Sequence, residues 1–101
     1  TTGARILLEF RINGHMMGEE FTVASCDIPR RVNVQVFGTE VLEEIVLIKN
    51  NEDFYVHRGK SDHEGFEIVD EAPISRTDFY YIRVIQKDGE MAWSSPIWAG
   101  V

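Results

Sequence analysis

Hydrophobic and polar positions alternate along much of this chain with a period of two. Between Arg5 and Ile12, the residues Ile6, Leu8, Phe10 and Ile12 fall on one side, with Glu9 and Arg11 on the other. Successive side chains of a strand point to opposite sides of its sheet, so this spacing predicts a strand with one buried face. Asn13-Gly14 follows at once. Both residues tolerate the positive φ of a type I′ turn, which predicts a hairpin into a short return strand at His15–Met17. Gly18 then marks a bend or bulge. Phe21–Cys26 is a weaker strand candidate, closed by Asp27-Ile28-Pro29. Arg31–Phe37 alternates again, with Val32, Val34 and Val36 on the buried side, and Gly38-Thr39 breaks it.

The run Val41–Lys49 is different, because Ile45-Val46-Leu47-Ile48 is apolar on both sides. A short helix is conceivable around Glu43-Glu44. The β-branched residues and the following Asn50-Asn51-Glu52-Asp53 turn favour a strand and a hairpin into Phe54–His57. Arg58–Glu64 reads as a polar loop, Gly65–Asp70 as a strand, and Ala72-Pro73 as an interruption. The chain closes with an aromatic strand at Phe79–Ile85, a Lys87-Asp88-Gly89 turn and a return segment at Ala92–Trp98. Seven or eight short strands with frequent turn signals and no long helix predict an all-β fold. The expected form is an immunoglobulin/fibronectin-like antiparallel β-sandwich in a single domain.

A free-standing sandwich hides one face of each strand and wets the other. Ile45–Ile48, Phe79–Ile85 and Ala92–Trp98 all depart from that rule. In an immunoglobulin-like topology these segments share one sheet, so their surplus apolar residues would meet on its outer surface. Val46, Ile48, Phe79, Tyr81, Ile85, Trp93 and Trp98 are therefore the candidate docking surface for another domain. Trp93 and Trp98 would point to opposite faces of one regular strand unless Pro96 introduces a bulge. Loops folded over the surface, or a tryptophan closing the open end of the barrel, would account for the same pattern.

Charge and composition narrow the function classes. The net charge is −7 over 101 residues, with basic residues scattered, which argues against the basic face that nucleic-acid binding requires. Arg30-Arg31, the one adjacent basic pair, reads as solvated at a turn. The single cysteine, Cys26, allows no intramolecular disulfide and no multi-cysteine zinc site, and reads as a small buried hydrophobe. No apolar run approaches the roughly 20 residues a membrane-spanning helix needs. The chain begins at Thr1 without a methionine, so it reads as a processed or excised piece and its compartment stays open.

Catalytic chemistry finds little to stand on. Asp62-His63-Glu64 are consecutive and point in different directions, so they read as an acidic surface loop rather than a metal site. Asn50 to Asp53 lacks the twelve-residue calcium-loop pattern. Ser94-Ser95 has no nearby base, and the pairs Glu19-Glu20 and Glu43-Glu44 diverge. The sequence thus predicts no catalytic residue, no metal and no cofactor in this domain. Trp93, Trp98, Tyr80 and Tyr81 form a rival constellation, a sugar-stacking platform. They lie in a hydrophobic hairpin without an array of polar partners, which favours core and contact roles.

The closing string FYYIRVIQKDGEMAWSSPIW, from Phe79 to Trp98, is similar to the C-terminal end of bacterial metallohydrolases related to the polymerase-and-histidinol-phosphatase superfamily. Thr2-Gly3-Ala4-Arg5-Ile6 resembles the point where their catalytic barrel hands over to a trailing β-domain. Phe10-Arg11-Ile12-Asn13-Gly14, followed by Met17-Gly18, resembles the same region. The middle, about Glu40–Pro73, carries only generic sandwich features. The resemblance implies a longer polypeptide whose upstream barrel holds histidine and aspartate metal ligands for phosphoester or similar hydrolysis. None of those motifs occurs here, so no catalytic residue carries over. The implied role is a C-terminal accessory module whose partner is the upstream catalytic domain of the same polypeptide.

Overall fold

In the computed structural model, residues 6–23, 28–74 and 77–100 are described. They form two β-sheets and no helix. The first sheet opens with β1 (Leu7–Ile12), which turns through Asn13-Gly14 into β2 (His15–Met16). Asn13 has φ 51° and Gly14 φ 84°, the left-handed pair that a two-residue hairpin of this twist demands. β3 (Glu20–Thr22) crosses to the second sheet. β4 (Arg30–Phe37) returns to pair, from Val32 to Phe37, with the whole of β1. β5 (Leu42–Lys49) and β6 (Glu52–Arg58) make a hairpin over Asn50-Asn51, both also at positive φ. β7 (His63–Asp70) pairs with β4, and β8 (Thr77–Gln86) with β5. β9 (Met91–Trp93) and β10 (Ile97–Gly100) then run back along β8.

The four-stranded sheet has the order β2-β1-β4-β7, and the larger one β3-β10-β8-β5-β6 with β9 beside β8. All pairings are antiparallel except β3 with β10. The core lies between the sheets. Phe10, Ile12, Val32, Val34 and Val36 come from the smaller sheet; Leu42, Ile45, Leu47, Tyr80, Ile82, Val84, Ile97 and Ala99 come from the larger. The alternation in the sequence therefore marks the inner faces correctly.

Some sequence boundaries shift. β6 extends to Arg58 and β7 starts at His63, so the expected Arg58–Glu64 loop shrinks to residues 59–62. His63 and Glu64 consequently sit on a strand rather than in a loop. Cys26 and part of the expected Phe21–Cys26 strand lie outside the described residues. One reading is corrected outright: Arg30 is wholly buried while Arg31 is exposed. The pair lies on a strand, not in a turn, and a strand sends adjacent side chains to opposite faces.

Candidate functional site

The outer face of the larger sheet collects the sequence-predicted contact residues. In β8 the inward residues are Asp78, Tyr80, Ile82, Val84 and Gln86, which leaves Phe79, Tyr81, Arg83 and Ile85 outward. Directly paired residues share a face. Trp98 is opposite Phe79, Ile48 opposite Tyr81, and Val46 opposite Arg83. Trp93 is opposite Arg83 on the other side, next to Met91 opposite Ile85. All seven named residues therefore lie on one surface.

Two tryptophans five positions apart share this surface because the strand is interrupted. Trp93 pairs with Arg83, whereas Ile97 pairs with Tyr80, so three steps along β8 face four along the return segment. The additional residue falls in Ser94-Ser95-Pro96 and reverses the alternation. Ser94 keeps the ladder satisfied. Its N–H donates to the Ile82 carbonyl at 2.9 Å and its Oγ accepts the Ile82 N–H at 2.8 Å.

The residues do not contribute equally. Trp93 is 42 % exposed and Trp98 41 %, both high for such large apolar side chains. Phe79, Tyr81 and Ile85 are half-buried. Val46 and Ile48 are buried; Val46 is flanked by its cross-strand partners Arg83 and Val56, and Ile48 by Tyr81 and Asp53. The presented atoms thus form an aromatic row, Trp98 to Phe79 at 5.0 Å between ring centroids and Phe79 to Tyr81 at 6.5 Å. Beside it Arg83 reaches Glu44 at 4.0 Å, and Glu44 accepts a hydrogen bond from Arg58 at 3.3 Å. Arg83 Nε is buried on this face without a hydrogen-bond partner among the described residues.

A second assembly, a cluster of charges between the sheets at one end, was not among the sequence expectations. Asp70 is the hub. Its carboxylate accepts from the Tyr80 hydroxyl at 2.6 Å and lies 2.7 Å from Lys49 Nζ and 3.3 Å from Arg30 Nη2. Asp78 faces the same two cations from 3.6 and 4.0 Å, and its other oxygen accepts from the Asn50 amide at 3.0 Å. Arg30 also donates to Tyr80 Oη and to the carbonyls of Ile28 and Ala72. Burial alone would raise the Asp70 pKa, but the bonds from Lys49, Tyr80 and the Ala72 N–H outweigh it and hold the carboxyl below its usual range. Burial and the bond to Asp70 push the Tyr80 phenol well up, so it stays neutral. Two cations face two carboxylates in a place almost closed to solvent, with only Lys49 partly exposed. The arrangement fits a cross-sheet clamp.

Tyr80, one member of the predicted sugar platform, belongs to this clamp and is not exposed. Asp62-His63-Glu64 also resolves differently. Glu64 points inward and bonds His57 Nε2 at 3.0 Å and the N–H groups of Lys60 and Ser61 at 2.9 Å, which lowers its pKa to about 2. His63 instead stacks on Phe37. No group of three or more His, Cys, Asp or Glu side chains is placed to hold a metal among the described residues. No helix among them is long and apolar enough to cross a membrane.

Comparison with known proteins matches the chain to part of longer ones. An uncharacterised protein of Chlamydia pneumoniae is 36% identical over 112 aligned positions, covering 97% of this chain and 18% of the relative. Uncharacterised proteins of Chlamydia trachomatis and Chlamydia muridarum are each 33% identical over the same proportions. The chain thus spans under a fifth of the length of these curated relatives. No family model and no solved structure matches it.

Proposed function

We propose that this chain is a non-catalytic, immunoglobulin-like accessory domain of a larger protein, held to that protein through the outer face of its six-stranded sheet. The aromatic row of Trp98, Phe79 and Tyr81, with Trp93 alongside, carries the reading. A sheet face bearing two large exposed indoles is unusual for a surface that meets only water. The occupant is the remainder of the same polypeptide, since relatives of this chain extend far beyond the matched region. The resemblance of the Phe79–Trp98 segment to metallohydrolase C-termini makes that remainder a metal-dependent hydrolase barrel of phosphoesterase type. The immunoglobulin-like assignment is supported by the strand order, in which β1-β4-β7 faces β10-β8-β5-β6 and β3 switches sheets.

Iodide quenching of indole fluorescence tests the docking. Trp93 and Trp98 are the only tryptophans in the 101 residues. Both should be quenched readily in the isolated chain and protected in the parent polypeptide, with any upstream tryptophans replaced by phenylalanine. Equal quenching in the two would end the docking proposal. Metal analysis of the parent protein tests the hydrolase part separately. A sugar-binding role would show instead as an indole fluorescence change on titrating the isolated chain with glycans.

A further inference from the structure

The far edge of the larger sheet carries a different message. β6 is its terminal strand and is anomalously open: Phe54, Tyr55 and Val56, three consecutive residues, are 41 %, 37 % and 40 % exposed. A strand lying on a core should hide every second residue. Edge strands are commonly protected by lysine, proline or brevity, and Glu52–Arg58 has no lysine or proline and runs seven residues.

We infer that β6 is a self-association edge, where two copies of this chain pair antiparallel and join two sheets into one. Backbone direction sets the register. The Gly59 N–H donates to the Glu43 carbonyl, and the pairing from Glu44 with Arg58 to Leu47 with Tyr55 is unbroken. Amides alternate along such a ladder, so the N–H groups of Arg58 and Val56 point away from β5 to the open edge. A two-fold axis at Val56 lets each Val56 N–H meet the Val56 carbonyl of the second copy. In that register Tyr55 faces His57 of the second copy, Phe54 faces Arg58, and Glu52 approaches Lys60.

Charge selects the direction. β6 is acidic at its start, with Glu52 and Asp53, and basic at and just past its end, with Arg58 and Lys60. In this register antiparallel pairing of two copies sets Glu52 of each against Lys60 of the other at both ends, and apolar residues at the centre. Parallel pairing would set like charge on like. An isologous two-fold contact follows, the commonest symmetry of homodimers. The bulge where the register shifts between Leu47 and Ile48 bends the first part of β6, so the new ladder is short. The dimer accordingly forms and dissolves with concentration.

Sedimentation velocity on the 101-residue chain, from micromolar to millimolar, should show a reversible monomer–dimer equilibrium. Val56→Pro removes an amide that β5 does not use, and should leave a monomer with nearly unchanged melting temperature. Should that variant fail to fold, charge variants serve instead. Glu52→Lys with Asp53→Lys, and Arg58→Glu with Lys60→Glu, should each be monomeric alone and dimerise when mixed. A wild-type monomer throughout the range overturns the inference. So does a dimer that survives Val56→Pro, or one abolished by Trp98→Lys, which would place the contact on the sheet face instead.

Discussion

Replacing Asp70 by asparagine should destabilise this protein more than most single substitutions. The side chain keeps its shape and loses its charge. Asp70 now compensates Arg30, which is wholly buried, and Lys49, which is largely so, at 3.3 and 2.7 Å. After the change, Asp78 alone faces both cations, at 4.0 and 3.6 Å. An asparagine NH₂ would also be set against donors from Lys49, Tyr80 or Arg30. Breaking a buried ion pair by removing one partner costs about 3–5 kcal/mol. For a domain near 100 residues each kcal/mol moves Tm by about 4–8 °C, so the fall should be at least about 12 °C. Urea unfolding followed by circular dichroism gives the free energy directly. A second change, Lys49→Met, removes one stranded cation and should restore part of the loss, a coupling only a double-mutant cycle reveals. The pH dependence has a definite sign. Asp70 has a depressed folded pKa, so its contribution is complete above the ordinary carboxylate range and fades as pH falls below it. The wild-type advantage over Asp70→Asn should therefore shrink in acid. A cost below about 1 kcal/mol at neutral pH would refute the clamp, because an unpaired buried cation cannot be that cheap.

The same logic applies to Glu64, whose pKa is lowered to about 2 by its bonds to His57, Lys60 and Ser61. Its stabilisation is present above the unfolded carboxyl value near 4.5 and is lost as pH falls toward 2, so wild type and Glu64→Gln should differ at pH 7 and converge in acid melts. Gly59→Ala and Gly65→Ala should separate sharply in the same unfolding assay. An alanine methyl at 59 would press on the Leu42 backbone carbonyl, which cannot yield, and should cost about 2–3 kcal/mol. At 65 it meets only the far end of the Gln35 side chain, which can swing aside at a cost within about 1 kcal/mol.

Local signals in the sequence were sufficient where strands are built from local rules. The alternation at Ile6–Ile12 and Val32–Val36 named the inner faces, and Asn13-Gly14 named its turn, because both depend on neighbours within a few residues. The outer-face set was legible for a related reason: Ile45–Ile48 and Phe79–Ile85 have apolar residues in both parities, so part of each run has to fall on the outer side of the sheet. The shared face of Trp93 and Trp98 hung on whether Ser94-Ser95-Pro96 inserts a residue, which alternation cannot decide. The charge clamp was not legible. Arg30, Lys49, Asp70, Asp78 and Tyr80 come from four strands, and each looks like an ordinary strand-end residue in its own segment. The one available signal was parity, which puts Arg30 in line with Val32, Val34 and Val36 and so inside. The crossing of β3 to the larger sheet escaped notice too, since a three-residue strand has no periodicity of its own.

That crossing has a consequence for how the molecule comes into being. β3 lies parallel to β10, with Glu20 beside Trp98 and Thr22 beside Gly100, so an early strand waits on the last one. Contacts between such distant parts of a chain are the slowest to form, because the intervening loop must be closed before they give anything back. On a ribosome the sandwich cannot be finished until its final residues have left the exit tunnel. Until then the open side of β8 where β10 will lie, including Phe79 and Tyr80, offers unpaired backbone to any other strand within reach. Deleting residues 97–100 should therefore leave a chain that aggregates during synthesis rather than a native sandwich short of one strand.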